Sequence, residues 1–329
     1  MPMTSLPRRH VLGLAAGALT LPALARAGTT GVERIGGPAF GTQWQLVAPG
    51  GAGLERLRPA IAALLAEVDA QVSPWRADSE ITVVNRGGEG VHPVSPETAH
   101  VAQAALALAE ASDGHFDPTV GPLVARWGFG PIDGDGPTGW AGLQVEGARI
   151  AKARAGLTLD LCGIAKGRAL DRVAALARDA GHDSLLLDIG GELLALGRHP
   201  SGRPWQVAVE DPRPGHDTPA ALLSLTDRAV GTSGLRAQGY ALPGGATYGH
   251  IIDPATGAPA QGALRSVTVT APDAMTADGW ATALFAAGAA DGPALARRHG
   301  LSALFLSEDG DTLRAETTGD IPEALIWNS

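Results

Sequence analysis

The 329-residue sequence holds one cysteine, Cys162, so it can form no internal disulfide and no thiolate zinc site. Basic charge is also short. With 25 Lys and Arg against 34 Asp and Glu, the formal charge is −9, which argues against general nucleic-acid binding. The apolar run Val11 to Leu24 falls short of the roughly 20 residues a spanning helix needs and is broken by Pro22. The nine histidines lack the close paired spacing of a transition-metal site. There is no internal repeat at a solenoid period.

What is present is enough apolar content, 45%, to bury a large core as one big domain or two intimate lobes. Residues 1–27 differ from the rest: Arg8-Arg9 precede the apolar run, and Ala25-Arg26-Ala27 gives an A-x-A cleavage pattern. This reads as a cleaved secretory leader of twin-arginine type, leaving residues 28–329 as the mature periplasmic domain with no stable membrane anchor. Losing the three arginines Arg8, Arg9 and Arg26 would take the charge from −9 to −12.

Apolar spacing predicts a helix over 53–72, with Leu54, Leu57, Ile61, Leu64, Leu65, Val68 and Val72 on one stripe. A second helix runs from Ser95 as N-cap to a stop at Gly114, and a third from near Gly163 to Gly181 with Val173, Leu176 and Ala180 inward. Strands are expected over 184–189, onward from Gly190-Gly191 to Leu196, and over 205–210, 222–226 and 266–271. A helix over 275–288 and a hairpin over 302–315 turning at Glu308-Asp309-Gly310 follow. Glycine and proline mark loops at 130–142, 198–219 and 237–247. The mixing of strands and helices without regular alternation points to an α+β fold.

Several motifs fail on context. Gly134 to Gly139 matches G-x-G-x-x-G, but Pro137 interrupts it and neither a strand nor a helix flanks it. Gly231-Thr232-Ser233-Gly234 resembles a nucleophile elbow without its closing glycine. Leu159 to Gly167, Leu-Asp-Leu-Cys-Gly-Ile-Ala-Lys-Gly, lacks a P-loop frame, yet its glycines and a helix start could bring backbone amides and Lys166 to a phosphate. A solvated lysine at a helix start is the simpler alternative. Asp278 and Thr282, four apart, share a helix face and offer oxygen ligands to a hard cation; capping of the helix is the competing role. His250 to Gly257 sets an imidazole and the Asp253 carboxylate in a strand-end turn, either as a general base or as structure.

In order, these pieces resemble the FAD:protein FMN transferase (ApbE) family. The matching segments are Phe40-Gly41-Thr42, Ser73-Pro74-Trp75 with Ser79-Glu80-Ile81 and Asn85, Gly114 to Pro122, and Trp127 to Gly130. Asp160 to Gly167, Asp188 to Gly191, Thr232 to Gly234, His250 to Gly257 and Thr276 to Asp278 with Thr282 continue the series over about residues 35–315. The resemblance implies one large mixed domain with a cleft for FAD. Phe40, Trp75, His115, Phe116, Asp117, Asp160, Lys166 and Ile252 would line that cleft. It implies Mg²⁺ held by the Gly163 carbonyl with Asp278 and Thr282, and catalysis by Asp278 and Lys166 with His250 as base. The expected reaction moves FMN from FAD to a Thr or Ser hydroxyl of a target redox flavoprotein and releases AMP. An FAD carrier with little transfer activity, or an FAD pyrophosphatase, would draw on the same residues. Two positions depart from the family: Phe40 stands where Met is usual and Cys162 where Gly is common. Cys162 is expected to be a small packing residue.

Overall fold

The computed structural model describes residues 31–236, 239–241, 247–321 and 325–326; the leader expected over 1–27 lies outside them. Eight strands form one antiparallel sheet. They are β1 (Val32–Ala39), β2 (Thr42–Pro49), β3 (Leu185–Ile189), β4 (Glu192–Leu196), β5 (Arg228–Gly234), β6 (Leu264–Ala271), β7 (Ser302–Asp309) and β8 (Thr312–Thr318). Their order across the sheet is their order along the chain, so the sheet is a meander interrupted by long excursions. Six helices occupy those excursions: α1 (Arg58–Val72), α2 (Glu80–Arg86), α3 (Pro96–Ala111), α4 (Gly121–Arg126), α5 (Cys162–Asp179) and α6 (Ala274–Arg298).

Side chains alternate across a strand, and here both faces are covered. Leu185, Leu187, Ile189, Leu194, Leu196, Val267, Val269 and Phe305 point into the core beneath the helices. Ala195, Val230, Leu304 and Leu306 point the other way, onto Trp205, Val207, Val209, Leu223 and Leu225. Those last residues belong to the antiparallel pair Trp205–Val209 and Ala221–Leu225. From Gly31 onward the chain forms one compact unit, so the alternative of two lobes gives way to a single layered body.

The expected helices form, with shifts that have physical reasons. The 53–72 stripe begins as a 3₁₀ turn over Leu54–Leu57, because Pro59 sits at the second position of α1, where its missing N–H costs nothing. Ser95 accepts from the Thr98 N–H at 3.2 Å and caps α3 as expected. In α5 the inward row ends on Ala177, not Ala180, which is exposed. The expected stop of the last helix at 288 marks a kink instead: Gly288 takes φ 78° and the helix resumes to Arg298. The loop expected at 237–247 contains a short hairpin, Gly239–Ala241 against Thr247–Gly249.

Two glycines let α6 approach its neighbours. A Cβ on Gly167 of α5 would sit 2.2 Å from the Ala274 carbonyl oxygen, and one on Gly231 of β5 would sit 2.5 Å from that of Ala277. The helix therefore lies with its backbone against both elements at the level of Asp278.

Candidate active site

The approach to the site is a clamped extended segment. Asn85 at the end of α2 brackets Leu159, donating from Nδ2 to its carbonyl at 2.8 Å and accepting its N–H on Oδ1 at 2.7 Å. Lys152, itself buried, holds that end of α2 by donating to the carbonyls of Val84, Asn85 and Gly87 at 2.8–3.2 Å. Asp160 then donates its N–H to Pro118 at 2.7 Å and accepts the Cys162 N–H on Oδ1 at 3.0 Å, which closes the first turn of α5.

At that turn the helices converge. A Cβ on Gly163 would lie 3.3 Å from Thr282 Oγ1 and 3.1 Å from the Phe116 ring, so any larger residue would crowd this corner. Thr282 Oγ1 lies 3.3 Å from Ser233 Oγ on β5. Asp278, one turn earlier on α6, is buried and accepts the Gly167 N–H on Oδ2 at 2.9 Å. In a regular helix that amide points at the Gly163 carbonyl, so the carboxylate draws on the donor that would otherwise serve it. The capping role for Asp278 is excluded, because Asp273 caps α6 by accepting the Thr276 N–H at 2.8 Å. Burial and then the charge of Glu192 push the Asp278 carboxyl up to about 7, against the pull of Lys166 and the Gly167 amide. Gly163, Asp278 and Thr282 thus present oxygen donors only, with one carboxylate. This set fits a hard divalent cation that keeps its other positions for water or phosphate. Among the described residues no group of three or more His, Cys, Asp or Glu could hold a metal by itself.

Lys166 is not a solvated helix-start lysine. Its Nζ binds Glu192 Oε1, and the other Glu192 oxygen accepts the Thr232 N–H at 3.1 Å. Burial alone would lower it, yet the Glu192 and Asp278 carboxylates hold the ammonium well above its ordinary value. Glu192 was not among the expected residues. A period-two reading of β4 could have found it, since Glu192, Leu194 and Leu196 share the buried face and a carboxylate there needs a partner. The preceding strand β3 carries Asp188, which accepts the Gly191 N–H at 2.9 Å and whose carboxyl is raised by burial.

The expected flavin-lining residues divide by exposure. Phe40 occupies the β1–β2 turn with φ 50°, followed by Gly41 at 72°, the two positive φ values that a two-residue loop between the paired Ala39 and Thr42 requires. The turn is docked beside Gly190, whose N–H donates to the Gln43 carbonyl at 3.1 Å. Trp75 projects from the turn before α2 with 67% of its surface exposed, an unusual state for an indole. Phe116 and Ile252 are buried, unlike Trp75. The Asp117 carboxylate folds onto Thr119, accepting its N–H at 2.8 Å and its hydroxyl at 2.6 Å, while Thr119 accepts the Gly139 N–H at 2.7 Å. The Gly134–Gly139 loop thus ties down a turn. His115 in the same turn is half-buried.

His250, half-buried, packs edge-on against Phe129 with ring centres 6.2 Å apart. Asp253 accepts the Ala255 N–H and the Thr256 hydroxyl, each at 2.9 Å, so its carboxylate shapes the turn. The Trp127 indole donates to the Gly257 carbonyl at 3.1 Å and fastens this turn to the segment after α4. Cys162 departs from its expected packing role: it is exposed, at the first position of α5. Surrounding protein atoms and the Asp160 carboxylate nevertheless push its thiol well up, away from a reactive thiolate.

A meander sheet, a helix pair laid against it through glycine contacts, and an oxygen-lined corner between them define an α+β protein with a polar candidate site. The chain belongs to the ApbE family, whose sequence profile matches residues 40–305. It is 35% identical over 294 residues to the FAD:protein FMN transferase of Vibrio cholerae, covering 84% of this chain and 88% of that protein. The Escherichia coli K12 protein of the same name is 31% identical over 325 residues, covering 93% and 92%. Among solved structures, the flavin transferase ApbE from Vibrio cholerae superposes with a TM-score of 0.80 at 32% identity, over 88% of this chain and 98% of that one. The flavinyl transferase ApbE from Pseudomonas stutzeri gives 0.76 at 33% identity, over 88% and 94%.

Proposed function

We propose that this enzyme transfers FMN from FAD to a Thr or Ser hydroxyl of a target redox flavoprotein, with Mg²⁺ in the corner of Gly163, Asp278 and Thr282 and AMP as the leaving product. The observation that carries the metal assignment is the oxygen-only corner kept open by Gly163, in a chain of the ApbE family. A divalent cation bound there supplies Lewis-acid polarisation of the pyrophosphate and neutralises its charge. The protein's own groups do the rest. The acceptor hydroxyl oxygen forms a bond to the phosphorus on the FMN side, the pyrophosphate P–O bond breaks, and AMP departs with the bonding electrons. His250 takes the hydroxyl proton. The Lys166 ammonium faces the negative charge. Phe40 and the exposed Trp75 offer faces for the flavin or adenine rings. The twin-arginine leader supports a periplasmic site of action on exported redox proteins.

The test is direct. Purified protein with FAD, Mg²⁺ and an acceptor domain is expected to yield covalently flavinylated acceptor and one AMP per label, and Asp278→Ala to abolish both. Free FMN and AMP without labelled acceptor would instead establish a pyrophosphatase, and tight FAD binding without AMP a carrier.

A further inference from the structure

Strand β5 and helix α6 run in step past the cation corner. A Cβ on Gly231 would sit 2.5 Å from the Ala277 carbonyl oxygen, so the strand touches the helix backbone just before Asp278. Two residues along a strand return to the same face about 6.6 Å further on, and four residues along a helix advance about 6 Å. Ser233 therefore meets Thr282, one turn beyond Asp278, and the two hydroxyl oxygens lie 3.3 Å apart. Ser233 is buried, and its place is fixed by the strand: it pairs with Val267 of β6, while Thr232 beside it donates its N–H to Glu192 at 3.1 Å and shares a hydroxyl hydrogen bond with Thr268 at 3.0 Å. Among the described residues Ser233 is the hydrogen-bond partner of the Thr282 hydroxyl.

We infer that Ser233 is a positioning residue: it accepts a hydrogen bond from the Thr282 hydroxyl and so turns the lone pairs of that oxygen to the cation. A hydroxyl carries one proton and two lone pairs. A cation on the oxygen repels the proton, which then needs an acceptor on the far side. A helical threonine ordinarily finds one in a carbonyl of the preceding turn; here β5 supplies a buried hydroxyl oxygen. The bond can run in either direction, but only donation by Thr282 leaves its own lone pairs free. A bound cation sets that direction, because it makes the hydroxyl it polarises the stronger donor. By this assignment Ser233 touches neither the cation nor the reacting atoms; it acts through Thr282, as the outer partners of metal ligands do. The inference rests on the metal reading of Gly163, Asp278 and Thr282.

Ser233→Ala removes the hydrogen-bond acceptor and leaves Thr282 in place. The measurement is Mn²⁺ titrated into FAD-saturated protein without a target domain, free Mn²⁺ being read by electron paramagnetic resonance against a protein-free FAD blank. Ser233→Ala is expected to bind Mn²⁺ about tenfold more weakly than wild type, the lower end of the cost of losing an outer partner of a metal ligand. Thr282→Val keeps the shape of the side chain without its oxygen. In that background Ser233→Ala is expected to change Mn²⁺ affinity no further, since the only group it acts through is gone. A serine that served packing alone would cost the same factor with or without the Thr282 hydroxyl. Wild-type Mn²⁺ affinity in Ser233→Ala, or equal losses in the two backgrounds, overturns the inference while leaving the metal reading intact. Wild-type protein that holds no Mn²⁺, or Asp278→Ala that binds like wild type, removes the metal reading and this inference with it.

Discussion

Gly163 and its neighbour Cys162 separate two kinds of small residue at the head of α5. Glycine inside a helix costs roughly 1 kcal/mol relative to alanine, so its presence at the second position of α5 needs a compensating reason. The reason is space: a methyl there would press at 3.1 Å on the Phe116 ring and at 3.3 Å on the Thr282 hydroxyl. Gly163→Ala is therefore expected to leave thermal stability unchanged or slightly raised while weakening divalent-cation binding and transfer. Loss of stability and function together would mean that the glycine serves folding alone. Cys162 is exposed, and burial of the thiol and the Asp160 carboxylate hold it protonated. Cys162→Ser should keep transfer rates within about a factor of two, the span of an ordinary surface substitution.

At the scale of elements, the start of α6 is fastened twice. Asp273 caps it from within, and Asp171 on α5 accepts the N–H groups of Ala274 and Met275 at 2.7 and 3.0 Å. That second cap is a carboxylate sunk between two helices, and burial pushes it up to about 6 from the usual 3.8. Between those values the unfolded chain has released the proton and the folded chain still holds it. Stability from this group is therefore full below about 3.8 and is lost as the pH rises through about 6, a difference of about 3 kcal/mol. Asp171→Asn should remove that slope. Urea midpoints of the two proteins across pH 4–7 would check it; parallel curves would show that Asp171 is ionised throughout in the fold.

Elements also show what sequence could and could not disclose. The helices α1 and α5 were legible from buried stripes at period 3.6, and α3 from its Ser95 cap and Gly114 stop. Strand β5, Arg-Ala-Val-Gly-Thr-Ser-Gly, was not, because Gly231 sits where α6 presses its backbone on the sheet and the strand-forming side chain is missing for that reason. The same stretch resembled a nucleophile elbow, although Thr232 and Ser233 lie within an extended strand paired to β6 at Thr268 and Val267. Asp278 and Thr282 could be assigned to one helix face from their spacing, but not to the cation corner. That assignment needs Gly163 and Gly167, more than a hundred residues away, and contacts of that separation leave no local signature. Family resemblance supplied the partners as an ordered series of segments; only the packing of α5 on α6 turned them into distances.

For the molecule as a whole, the meander order means that each part of the proposed site comes from a different excursion of one sheet. The segment between β2 and β3 brings Phe116, Asp160, Gly163 and Lys166; that between β5 and β6 brings His250 and Ile252; and the link between β6 and β7 brings Asp278 and Thr282. Because all three rest on one core, the site cannot loosen wall by wall without disturbing the sheet. FAD with Mg²⁺ is thus expected to stabilise the entire unit. At a hundred times its dissociation constant, a ligand bound only by the native state adds about 2.7 kcal/mol. Urea unfolding followed by tryptophan fluorescence and by far-ultraviolet circular dichroism should shift together to higher denaturant, with the Mg²⁺-dependent part absent in Asp278→Ala. A shift seen by one probe alone would show that the excursions carrying the site unfold apart from the sheet.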